Sequence, residues 1–85
     1  DKLVTETVPV LVVEVASSND RREGMSDRIA GYQRWGVSHV WVFDPQSRHA
    51  HVFSPDESPR MLKETETLTS RTLLPGFSVL VGDLF

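Results

Sequence analysis

The 85-residue sequence predicts a small α/β (α+β) domain, a mixed β-sheet with one main crossover helix. Three observations carry that reading. VPVLVVEVA (8–16) and VSHVWVFD (37–44) have apolar residues on both alternation parities, rich in β-branched valine, as in strands covered on both faces. Between them Met25, Ile29 and Tyr32 recur at i, i+4 and i+7, one face of a helix. After the second strand RHAHVF alternates and should pair back on it as a hairpin.

The first strand is expected at the centre of the sheet, because both of its faces are apolar. In SSNDRREG, Asp20 followed by Glu23 resembles a capping box and opens a helix over residues 21–35. Gly36 suits the position after its end. Gly24 and Gly31 weaken the helix, so packing must hold it. DPQS is a turn with Pro45 in second position, with Asp44 satisfying the turn. SPDESP reads as a loop, RMLKE as a short edge strand, LLPGFSVLV as a turn and last strand, and GDLF as the start of a terminal helix. The order is β-α-β-β-(β)-β. A helical crossover between parallel first strands should be right-handed.

Composition narrows the class. With 39% hydrophobic and 25% charged residues the chain fits a soluble globular domain. It has no cysteine, which excludes disulfides and thiolate metal sites and makes a reducing, cytoplasmic location the default expectation. The longest apolar run is too short to span a bilayer, so no membrane role is expected. A net charge of −3 argues against a broad nucleic-acid surface, though Arg21, Arg22, Arg28 and Arg34 could form a local phosphate-contacting patch. Asp20, Glu23 and Asp27 are interleaved with them, as on an ordinary solvated helix face. The chain opens on DKLVTET without an initiator Met and reads as the C-terminal part of a longer domain.

One residue conflicts with its surroundings. Glu14 lies inside the most apolar stretch, and a buried carboxylate is costly unless paired, hydrogen-bonded or bound to metal. Arg28 stands three residues after Met25 and four before Tyr32, on the border of the inward helix stripe, from which it can reach the strand. Two readings stay open: an acid satisfied by Arg28 or backbone N–H groups, and a vestigial or incomplete metal site. His49 and His51 share a strand face but have no acidic or third histidine neighbour in sequence, and read as solvated strand residues. Trp41 reads as core and Trp35 as cover for a partner surface.

Taken together, P-x-LVVEV-x-S, Y-x-x-x-GV, W-x-x-DP, LLPGF and the closing LF resemble the Uma-type restriction endonucleases. These are bacterial proteins, numerous in cyanobacteria, of the PD-(D/E)XK nuclease superfamily. The matching residues are Pro9, Leu11–Val15, Ser17, Tyr32, Gly36–Val37, Trp41, Asp44–Pro45, Leu73–Phe77 and Leu84–Phe85. The resemblance implies a restriction-endonuclease-like fold and, for active members, hydrolysis of DNA phosphodiesters assisted by Mg²⁺, which takes oxygen ligands. It makes Glu14 an acidic metal ligand and gives Arg28 the place of the helix lysine.

The departures matter equally. Val10 stands where members commonly have Asp, and Ala16 where the superfamily motif puts Lys. Arg28 keeps its guanidinium protonated throughout the physiological range and cannot act as a base. The sequence therefore predicts a truncated or degenerate nuclease domain of doubtful activity, with Mg²⁺ weak or absent. The alternative is a non-catalytic interaction or dimerisation module, and a homodimer is expected on either reading.

Overall fold

The chain folds into three layers in the computed structural model, which describes residues 7–17, 24–70 and 72–85. The expected Asp20–Glu23 capping box, with Arg21 and Arg22, lies outside the described residues; Gly24, expected within the helix, has a φ of 125° and the helix begins at Met25. The elements are β1 (Leu11–Val15), α1 (Met25–Trp35), β2 (His39–Asp44), β3 (His49–Ser54), β4 (Glu57–Leu62), β5 (Thr67–Ser70), β6 (Leu74–Leu80) and a terminal 3-10 turn, Val81–Leu84.

β1 to β4 form one mixed sheet in the order β1-β2-β3-β4. β1 and β2 run parallel and are connected through α1, whereas β2-β3 and β3-β4 are antiparallel. The alternation of side chains across a strand then decides which residues meet which layer. Val12 faces Val40 and Glu14 faces Val42, and these residues share the side on which α1 packs through Met25, Ile29 and Tyr32. The other side carries Trp41, Ala50, Val52 and Leu62, covered by Leu68 of β5, Phe77 and Val79 of β6, and Val81. Trp41 stacks on Phe77 at 5.9 Å between ring centroids. Trp41 is core, as its place in an apolar strand predicts.

The helix ends where Gly36 adopts a left-handed φ of 107°, letting its N–H bond to the Gln33 carbonyl at 3.1 Å. The DPQS turn forms through Asp44, whose Oδ1 accepts from the Gln46 N–H at 3.0 Å and the Ser47 N–H at 3.4 Å. Arg48 locks that turn to the chain end. Its Nε donates to Glu64 Oε1 at 2.8 Å, and its guanidinium lies 5.5 Å from the Phe85 ring centroid.

The structure corrects four expectations. Among the described residues β1 is an edge strand and not central, with β2 on one side of it in the sheet. Double-sided apolarity reports which faces are covered and says nothing about lateral neighbours; β2, with the same pattern, takes the interior place and is almost wholly buried. The SPDESP loop contracts to a turn at Pro55–Asp56, because Glu57 already joins β4. β5 is an additional strand. Its four residues, TLTS, contain one apolar side chain, Leu68, too little for a periodic signal, yet Leu68 is fully buried. Finally, β5 and β6 form a separate antiparallel pair packed on the sheet and do not extend it.

Candidate functional site

Glu14 reaches the α1 side of the sheet because it shares strand parity with Val12. On the facing helix, Arg28 and Tyr32 are four residues apart, so both side chains project over the same patch of strand. They divide the carboxylate between them. Arg28 Nη1 donates to Glu14 Oε1 at 2.8 Å, and the Tyr32 hydroxyl donates to Oε2. The Glu14 side chain is mostly buried and that of Arg28 is 42% exposed, so the pair lies at the rim of the α1–sheet interface, next to water.

The electrostatics follow from this geometry. The hydrogen bond to Glu14 raises the Tyr32 pKa above its ordinary 10.0, partial desolvation and the Glu14 charge add to the rise, and Arg28 opposes it. The phenol therefore remains a donor across the physiological range. A charge-assisted bond at each oxygen resolves the cost of placing an acid in an apolar strand. Tyr32 is the member of this cluster that sequence reasoning missed. Its place in the apolar stripe marked it as packing, although its spacing from Arg28 was a usable signal.

A Mg²⁺ site needs several hard oxygen ligands around an open position. Glu14 offers one carboxylate, already engaged by a permanent cation and a phenol. Among the described residues no group of three or more histidine, cysteine, aspartate or glutamate side chains could hold a metal ion. The donor set around Glu14 does not fit the metal that the resemblance implies. Val10 and Ala16 flank it in the chain without supplying an oxygen or an amine.

The remaining candidates are scattered. Asp44, buried, sits at the C-terminal end of β2 in its turn, and His51 lines a groove of about 220 Å³ with it, beside Ala16, Met25 and Phe53. His49 pairs opposite Asp44 in the β2-β3 register, and Trp35 is exposed at the end of α1. Arg34 is exposed in the last helical turn, separate from the Glu14 cluster. No described helix is long and apolar enough to cross a membrane.

The sequence model of the Uma2 family, described as "Putative restriction endonuclease", matches residues 1–82. Among solved structures, the fold is similar to a putative nuclease belonging to DUF820 from Anabaena variabilis ATCC 29413, with a TM-score of 0.71 at 16% sequence identity. That likeness covers 88% of this chain and 42% of the nuclease, so the chain spans less than half of that protein's length. No curated protein matches the sequence.

Proposed function

The chain belongs to the Uma2 family of putative restriction endonucleases, and from that membership we propose that it is a nuclease-like domain whose phosphodiester-cleaving centre is degenerate. One observation carries the reading: Arg28 holds Glu14 at 2.8 Å where an active centre needs a carboxylate free for Mg²⁺ and a titratable amine beside it. DNA is the partner that the family implies, and hydrolysis of its backbone the ancestral reaction. The wild-type chain should leave supercoiled plasmid intact in Mg²⁺ and in Mn²⁺. Metal-dependent nicking that Glu14→Gln abolishes would overturn the reading, since a carboxylate from elsewhere would then be completing the site.

A second reading rests on β1. It lies at the sheet edge with Val13 and Val15 48% and 61% exposed, and Val10 exposed before it. An apolar edge strand with unpaired backbone groups is a template for adding another strand. On this reading the domain serves association, through a homodimer in which two β1 edges meet across a two-fold axis. The two readings are compatible, because loss of a metal centre leaves the sheet intact.

A further inference from the structure

On the face of the sheet opposite Glu14, between the β2–β4 sheet and the end of β5, lies a cavity of about 310 Å³. His39 and Trp41, two residues apart on β2 and so on one strand face, line it together with Arg60, Thr69, Ser70 and Thr72. His39 is 8% and Trp41 5% exposed, yet among the described residues neither His39 Nε2 nor Trp41 Nε1 has a hydrogen-bond partner. Arg60 Nε, at the same wall, is ion-paired with Glu57 Oε1 at 3.1 Å. Buried polar atoms are rarely left unmatched, because leaving one so forfeits its hydration without return. Two on one wall of one cavity indicate an absent occupant.

The chemistry of the occupant can be read from the wall. Ser38 Oγ lies 3.1 Å from the Val10 carbonyl oxygen, to which it donates its single proton. It lies 3.0 Å from His39 Nδ1; with its proton given to Val10 it can only accept there, which puts a proton on Nδ1. In that arrangement an uncharged His39 offers Nε2 as an acceptor in want of a donor, while Trp41 Nε1–H is a donor in want of an acceptor. Among the described residues of the rim, Asp56 and Glu57 outnumber Arg60, which disfavours an anion. Two residues of extended strand separate His39 from Trp41 by roughly 6–7 Å, so one small ion cannot satisfy both.

We propose that this cavity is a binding site for an uncharged molecule of nucleoside or monosaccharide size, presenting an N–H or O–H group to His39 and a carbonyl or hydroxyl oxygen to Trp41. The site lies on the other face of the sheet from Glu14 and does not depend on the nuclease reading. The shared chemistry is that of nucleosides and sugars, and the test separates them.

The experiment follows the indole N–H signals of the ¹⁵N-labelled protein during titration with thymidine, glucose and inorganic phosphate at millimolar concentrations. Trp35 is exposed and serves as the internal control. The Trp41 signal should shift saturably with thymidine or glucose, while Trp35 stays still and phosphate has no effect. His39→Leu, which removes the acceptor, should weaken that binding about tenfold, the effect of about 1.4 kcal/mol from one hydrogen bond to a buried group. Tm measured in parallel establishes that the variant is folded. Should the variant not fold, the wild-type titration decides alone. If neither neutral probe moves Trp41, the cavity holds water only and the proposal is wrong; a response to phosphate alone also overturns it.

Discussion

Arg28 and Glu14, fourteen residues apart in sequence, meet at 2.8 Å across the interface between α1 and the edge strand β1. The ion pair fastens α1 to β1, one of the two edge strands of the sheet among the described residues. With Tyr32 on the second oxygen, the carboxylate is satisfied by groups from one helix face. The same geometry that makes the acid tolerable in an apolar strand leaves it poorly suited to a divalent ion.

Restoring the family pattern should restore part of that capacity. In the double variant Val10→Asp, Arg28→Lys, one acidic group is added and a permanent cation is replaced by a titratable amine. Calorimetry should show tighter Mn²⁺ or Mg²⁺ binding than in wild type, by about tenfold or more, the scale of a change in groups around a metal ligand. Equal affinities in the two proteins would show that Arg28 is not what blocks the site.

Tyr32 is the only tyrosine in the chain, so its ionisation can be followed by ultraviolet absorbance without interference from another phenol. The midpoint should lie above 10, because the Glu14 carboxylate accepts the phenol proton and repels the phenolate. The sign for stability follows: folding favours the protonated phenol. This contribution is full below pH 10, the unfolded value, and is lost as pH rises through the higher folded value. Glu14→Gln should bring the midpoint down. A wild-type midpoint at or below 10 contradicts the hydrogen bond.

Leu68 tests the packing of the third layer. It is fully buried among Trp41, Ala50, Val52 and Val81, and it is the one apolar side chain of β5. Leu68→Ala should lower unfolding stability by roughly 2–5 kcal/mol in urea, from lost burial and the cavity left behind. A loss under about 1 kcal/mol would mean that the β5–β6 pair contributes little to holding the sheet.

Association can be separated from folding at Val13. Its side chain is about half exposed on the free edge strand, so Val13→Lys should change stability by no more than about 0.5 kcal/mol. A charge there blocks edge-to-edge pairing. Analytical ultracentrifugation at micromolar concentration should give a dimer for wild type and a monomer for the variant. A monomeric wild type, or a variant that still dimerises, excludes β1 as the contact.

By itself the sequence determined the class of fold and most of its elements, because periodicity records which side chains must be shielded from water. Met25, Ile29 and Tyr32 mark the helix face that packs, and Trp41 within VSHVWVFD marks a strand with both faces covered. The Asp44 turn was equally legible, since a carboxylate can cap the amides just after it whatever the rest of the chain does. Tertiary structure decided the rest. β1 and β2 carry the same apolar pattern, yet one is an edge and the other interior, because lateral order depends on which strands pair and hydrophobic alternation does not encode pairing. The sequence placed Arg28 within reach of Glu14, but that Tyr32 converges on it too depends on how far α1 is shifted along the sheet. The unmatched nitrogens of His39 and Trp41 share one cavity only because a short strand containing a single buried leucine folds back over them, a contact carried by no local signal.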